Sequence, residues 1–228
     1  MEQFLQFDGN LLIGIQHLLN AAWLTPIIKV ITAFGSKGLF WIMLCLVLMI
    51  FKKTRRLGII CSLSLLLTVI CCNVIIKPLV DRTRPWITFP DVHAFLPPPG
   101  DASFPSGHSA NTMGPAWAMF SATMPRLPKG GGDRKMKSYD NVPCLGWSGC
   151  GANAKSMHKI ALCMVILSVL VGISRLYLGM HYPSDVLCGL LLGMICGTLM
   201  CFAVGKYEDK HGLIGGVKEE DSNGSDRK

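Results

Sequence analysis

Three short stretches of this sequence hold side chains suited to phosphoryl chemistry. Lys77-Pro78-Leu79-Val80-Asp81-Arg82-Thr83-Arg84-Pro85 gathers cations, Pro105-Ser106-Gly107-His108 joins an anion nest to a histidine, and Ser174-Arg175 followed by His181 and Asp185 supplies a histidine backed by a carboxylate. An arginine offers a planar fork to phosphate oxygens and a lysine a point charge. Pro85 restricts Arg84 to an extended backbone, which helps to aim it. Lys77 alone would also fit an interfacial anchor that ends an apolar run. Pro105 suits a first helical turn, and the free N–H groups that follow form an anion site reinforced by the helix dipole. Ser106 adds a hydroxyl donor there, and Gly107 lets a phosphate approach the backbone closely. By itself this tetrapeptide fits an ordinary capped helix start equally well. Gly179 and Pro183 break the chain around His181, leaving its ring in a turn, while Asp185 follows closely enough to accept a hydrogen bond from one ring nitrogen. Such a bond fixes the tautomer and frees the other nitrogen to attack, although a His and an Asp at this spacing also pair simply as a helix start. Taken together the three stretches point to an enzyme.

The elements that must position them are membrane helices. Half of the 228 residues are hydrophobic and 16% are charged, well below the roughly 25% of charged residues in an ordinary soluble domain. The expected fold is all-α, a polytopic bundle of about six transmembrane helices. Residues 57–76 and 186–204 contain no charge, and 105–125 carries only His108 as a titratable group. Residues 160–178 form a further span if Arg175 sits near an interface, and 34–51 another if Lys37 snorkels. Residues 11–34 are the weakest span, interrupted by His17, Pro26 and Lys29, and their first half could lie flat on the membrane surface.

Lys and Arg cluster between the second and third spans (Lys52, Lys53, Arg55, Arg56) and around the loop between the fourth and fifth, which places both loops in the cytoplasm. Both termini then lie inside, and all three chemical stretches fall on the outer face. The net charge of +8 is explained by those loops, so no nucleic-acid partner is expected. Glu2 and Asp8 precede the first apolar stretch without a basic region, unlike a cleavable signal peptide. Eight of ten cysteines fall in apolar spans, and Cys144 and Cys150 lie in a cytoplasmic loop, so no disulfide framework is expected. The chain divides into a membrane-embedded domain over residues 1–206, with a polar cytoplasmic loop at 126–156, and a polar tail at 207–228.

In order, the three stretches resemble the type 2 phosphatidic acid phosphatase superfamily, whose pattern is K-x6-RP, then PSGH, then SR-x5-H-x3-D. Lys77, Arg84 and Pro85, then Pro105 to His108, then Ser174, Arg175, His181 and Asp185 match every specified position. The resemblance covers residues 57–204 and implies a small bacterial-type membrane lipid phosphatase; the 126–156 loop is longer than small members usually carry. It implies that His181 attacks phosphorus to give a phosphohistidine while Asp185 orients its ring. His108 would protonate the leaving oxygen and then activate water. Lys77, Arg84, Ser106, Gly107 and Arg175 would hold the non-bridging oxygens, with no metal and no cofactor. The implied partners are the bilayer and a lipid phosphate or diphosphate at the extracytoplasmic face of the cell membrane. Undecaprenyl diphosphate is favoured, because the compact six-span form resembles members associated with undecaprenyl carrier recycling; phosphatidic acid and phosphatidylglycerophosphate are the other candidates. A phosphotransferase of the same superfamily and a non-enzymatic phosphate-lipid transporter remain alternatives. A vanadate-dependent haloperoxidase shares similar motifs but belongs to larger, soluble relatives.

Overall fold

The computed structural model describes residues 2–19, 21–35, 38–97, 99–124 and 153–211. Its regular elements there are helices: α1 (Glu2–Leu18), α2 (Leu24–Ala33), α3 (Leu39–Ile50), α4 (Arg55–Val69), α5 (Lys77–Val80), α6 (Pro85–Thr88), α7 (Gly107–Thr123), α8 (Asn153–Tyr177) and α9 (Pro183–His211). A wider, π-helical stretch, Ile70–Ile76, joins α4 to α5.

Among the described residues, three stretches are long and apolar enough to cross a bilayer: Arg55–Thr88, Ser156–Tyr177 and Pro183–Glu208. The other expected spans are shorter. The 105–125 span is α7, with 17 residues. The 34–51 span becomes α3, which starts only after Gly38 has turned the chain at φ +66°. The 11–34 span divides into α1 and α2. The structure therefore gives a multi-pass membrane protein. Its surface agrees, with Phe7, Leu79 and Phe202 exposed while Ser64, Thr68, Thr112 and Ser168 are fully buried. Lipid wets the apolar side chains, so polar groups gain by turning inward to find partners. Helix α1 shows the same inversion, burying Asp8 and Gln16 while Phe4, Phe7 and Leu11 face outward.

Helix α7 is the axis of the bundle and packs against α9, α8 and α4. Ala110, Gly114, Ala118 and Ala122 recur every fourth residue along it, and Gly189, Gly193 and Gly197 do so along α9. Matching rows of small residues let two membrane helices approach at backbone distance. A Cβ at Gly193 would stand 2.7 Å from Ala110 O, and one at Gly197 2.8 Å from Gly114 O. This close seam sets the start of α7 against the start of α9. Away from the chemical residues, Cys45, Leu57, Ile60, Cys61, Met119 and Cys201 form the main apolar cluster.

Helix α9 runs through Tyr207 to His211, past the boundary expected after Lys206, and Arg56 pairs with the buried Glu208. Residues 153–156, expected to close the polar loop, begin α8. The remainder of that loop, with Cys144 and Cys150, and residues 212–228 of the tail lie outside the described residues.

Candidate active site

All three sequence stretches meet at one end of the bundle. The π-helical stretch brings Asn73 and Lys77 to the beginning of α7: a Cβ on Gly107 would lie 3.1 Å from Asn73 Oδ1 and 3.6 Å from Lys77 Nζ. Lys77 ends that wider turn with its side chain largely buried, a placement in keeping with the use of π-turns at functional sites. Arg84 has φ −76° and ψ 151° immediately before Pro85, the extended backbone the proline imposes.

Ser106 caps α7. Its Oγ accepts from Ser109 N at 3.4 Å and from Ser109 Oγ at 3.0 Å, leaving its own proton as a donor. Ser106 N donates to Asp185 O at 3.0 Å, which ties the start of α7 to the start of α9. His108 occupies the first turn of α7 and lies within electrostatic range of Arg175, His181, Lys77 and Arg84. Arg175, near the end of α8, is buried; its Nη1 donates to Thr32 Oγ1 at 3.1 Å, while Nε has no hydrogen-bond partner among the described residues. Ser174 bonds back to Val171 O at 2.6 Å and serves its own helix.

Helix α8 stops because Gly179 turns the chain at φ +70° against His93 O, where a Cβ would come within 2.3 Å. His181 follows in the turn before α9, almost fully buried. Its Nδ1 lies 2.8 Å from Ser103 O, and its Nε2 lies 3.2 Å from Arg84 Nη1. Arginine can only donate, so Nε2 is the acceptor and Nδ1 carries the proton given to Ser103 O. The direct partner of Nδ1 is therefore a main-chain carbonyl. Asp185 Oδ2 stands 3.6 Å away, beyond hydrogen-bond length, where its charge still favours an imidazolium. The direct hydrogen bond to Asp185 expected from the sequence is replaced by this two-part arrangement. Burial lowers the His181 pKa to about 4, with Asp185 opposing the shift and Arg84 and Arg175 adding to it.

Asp185 is itself held from several sides. Its Oδ2 accepts from Ser103 Oγ at 2.5 Å and from Tyr182 N at 3.0 Å, and its Oδ1 from Arg82 Nη1 at 2.7 Å. The Tyr182 bond is half of a capping box at the start of α9. Arg82, grouped with Lys77 and Arg84 by proximity in the sequence, is taken up elsewhere. It bonds Asp185, Ser184 Oγ at 2.7 Å and Asp8 Oδ2 at 2.7 Å, and lies 3.9 Å over the Tyr182 ring. Asp8 also accepts from Ser184 N at 3.1 Å and from the Ser184 hydroxyl. Lys77 and Arg84 in turn share the carboxylate of Asp101.

Asp8, Asp101 and Ser103 are the site residues that sequence reasoning missed. Asp8 carried a signal, since an acid within an apolar helix is a functional candidate by default. Asp101 and Ser103 lie in an irregular loop whose path no periodicity reveals.

Lys77, Arg84 and Arg175 thus lie within electrostatic range of the His108 ring, and Arg84 touches His181 Nε2. The model of the PAP2 superfamily matches residues 57–208. Phosphatidylglycerophosphatase B of Bacillus subtilis is 31% identical over 211 residues, covering 89% of this chain and 76% of that protein. An undecaprenyl-diphosphatase of Sulfolobus acidocaldarius is 29% identical over 153 residues, 67% of this chain and 58% of that protein. In three dimensions the chain is similar to the crystal structure of a transmembrane PAP2-type phosphatidylglycerolphosphate phosphatase from Bacillus subtilis, with TM-score 0.61 and 24% identity over 96% of this chain and 90% of that one.

Proposed function

Because this chain belongs to the PAP2 superfamily and is a membrane lipid phosphatase, we propose that it releases the terminal phosphate of a lipid through a phosphohistidine on His181, without a metal. The observation that carries this reading is the convergence of Lys77, Arg84, His108, Arg175 and His181 at one end of the bundle. His181 Nε2 attacks phosphorus in line, the bond to the lipid oxygen breaks, and His108 gives that oxygen a proton. Water then attacks the phosphohistidine, His108 takes up the water's proton, the P–N bond breaks, and inorganic phosphate leaves. Ser103 O holds Nδ1–H throughout, and Asp185 balances the charge that grows on the ring. Lys77, Arg84, Arg175, Ser106 and the Gly107 N–H bind the non-bridging oxygens as their charge redistributes. In this reading the cations are supplied by the protein.

Undecaprenyl diphosphate is the preferred substrate in this reading, and the extracytoplasmic face of the cell membrane its location. Lys52 and Lys53 between α3 and α4, with Arg55 and Arg56 in the first turn of α4, support the orientation. The 31% identity to a phosphatidylglycerophosphatase favours phosphatidylglycerophosphate as the second substrate to test. The membrane-embedded unit in this reading extends through α9, and the polar tail follows it.

The test is phosphate release by the purified protein in detergent with EDTA, on undecaprenyl diphosphate, phosphatidic acid and phosphatidylglycerophosphate in parallel. Release that persists in EDTA and vanishes in His181→Ala is the expected result, and the relative rates rank the substrates. Release abolished by EDTA, or retained by His181→Ala, overturns the mechanism. Phosphate transferred to an added alcohol in preference to water would make the protein a phosphotransferase.

A further inference from the structure

Asp101 lies where the oxygens of a bound phosphate are expected. Its Oδ2 pairs with Lys77 Nζ and its Oδ1 accepts from Arg84 Nη2 at 2.6 Å, so a single carboxylate spans both cations. Arg84 is also the guanidinium beside His181 Nε2, at 3.2 Å. The carboxylate thus closes the cationic seat next to the nitrogen that would attack.

The main chain around it is anchored independently of that carboxylate. Arg84 Nε donates to Asp101 O at 3.0 Å, and Ser103 N donates to Arg82 O at 2.8 Å. The Asp101 side chain is 52% exposed, and a Cβ on the adjacent Gly100 would meet nothing within 4 Å. Rotation of this one side chain would release Lys77 Nζ and Arg84 Nη2, while Arg84 Nε keeps its bond to Asp101 O and Nη1 its bond to Met180 O at 2.8 Å.

A pocket of free cations at the level of lipid headgroups would face a large excess of the wrong ligand. Every phospholipid of the bilayer carries a phosphodiester with one negative charge, and anionic lipids collect at basic groups. Exchanging the Asp101 carboxylate for a diester replaces one unit charge with another. A terminal phosphate brings on the order of −1.5 to −2 charges and three acceptor oxygens, enough to engage Arg175 together with Lys77 and Arg84.

We propose that Asp101 is an internal competitor for the phosphate seat, whose carboxylate occupies Lys77 and Arg84 and lowers by one common factor the affinity of the site for terminal phosphates and for the phosphodiesters of surrounding phospholipids. The proposal rests on the phosphate-binding roles given above. It predicts that Asp101→Asn, which keeps the shape and removes the charge, opens the seat to both classes of anion. An affinity lowered by self-occupation recovers by the inverse of the fraction of time the seat is open, about tenfold for a seat open about one-tenth of the time.

Two inhibitors of the full-length protein in nonionic detergent provide the test: inorganic phosphate, and phosphatidylglycerol added at increasing mole fraction with total lipid plus detergent held constant. Asp101→Asn should be inhibited by both at about tenfold lower concentration than the unaltered protein, and Asp101→Ser should behave alike. Weaker inhibition of the variants by phosphate would overturn the proposal and make Asp101 an aid to binding. Unchanged sensitivity to phosphatidylglycerol would overturn the competition with phosphodiesters. Should the unaltered protein resist phosphate, and Arg175→Ala keep its rate, the phosphate seat lies elsewhere and the underlying reading falls as well.

Discussion

Gly189→Ala tests whether the seam between α7 and α9 sets the catalytic geometry. Gly189 lies one helical turn beyond Asp185, and a Cβ there would stand 2.6 Å from Ser106 O, 3.1 Å from Ser109 Cβ and 3.4 Å from Ala110 N. Two of those atoms are main chain at the start of α7, so no side chain can swing aside. Ordinary carbon contact begins near 3.5 Å, and the helices must part by roughly 1 Å to reach it. That displacement separates Ser106, Gly107 and His108 from His181 and Asp185. Overpacking costs about 1–3 kcal/mol, partly offset by about 1 kcal/mol from the better helix propensity of Ala, so the loss of stability is small. The rate should suffer far more, because a misplacement of about 1 Å costs on the order of 10²-fold. Gly205→Ala is the control, since a Cβ there meets nothing within 4 Å. Thermal unfolding in detergent and kcat for phosphate release at saturating lipid read both effects. Gly189→Ala with a kcat within about twofold of the unaltered protein, measured on folded material, would refute the reasoning.

His181 should remain neutral well below the usual histidine range, since burial lowers its pKa to about 4. The unfolded chain, with an ordinary histidine pKa of about 6.5, then holds more protons between those values. Stability from this group is therefore complete above pH ~6.5 and lost as pH falls toward ~4. Ring chemical shifts of His181, assigned against His181→Ala, check this, and a midpoint near 6.5 would contradict it. Asp8→Asn should destabilise the fold by about 1.5–3 kcal/mol, because it weakens a charge-assisted hydrogen bond made at 2.7 Å with Arg82, which keeps Asp185 as a partner. It should also lower kcat more than it raises KM, as Arg82, no longer held by the Asp8 charge, shifts together with the Asp185 carboxylate it contacts, and Asp8→Glu should restore part of the loss; equal activity of Asp8→Asn would exclude the link. Arg82→Gln, which leaves Asp8 and Asp185 as two buried acids without their shared cation, should be the more damaging change in the same two assays.

The matched motif residues were legible because their chemistry is local. Pro85 fixes Arg84, Ser106 caps α7, and Gly179 with Pro183 leaves His181 in a turn, each through its own backbone preference. Hydropathy located α4, α8 and α9 as bilayer crossings. It overstated α2 and α3, because a sliding reading of apolar residues passes over the turn at Gly38 and the break between Leu18 and Leu24. The work assigned to Arg82 was misjudged for a related reason. Spacing along the chain placed it beside Lys77 and Arg84, whereas its partners Asp8 and Asp185 come from α1 and α9. The carbonyl of Ser103 that fixes His181 was beyond any side-chain pattern, since a main-chain acceptor can belong to any residue.

The contact between Asp8 and Ser184 joins positions 176 residues apart, and this bears on when the protein becomes active during its synthesis. A chain whose first three-quarters had entered the bilayer would already hold Lys77, Arg84 and His108, yet His181 and Asp185 would still be unmade. Once α9 emerges, Ser184 and Asp185 must find Arg82 and the long-waiting Asp8 before the ring of His181 is set. Closing so long a loop is a late event. In the proposed mechanism the nascent protein thus cannot begin hydrolysing lipid until α9 is seated, and the docking of α9 and the onset of activity become one step.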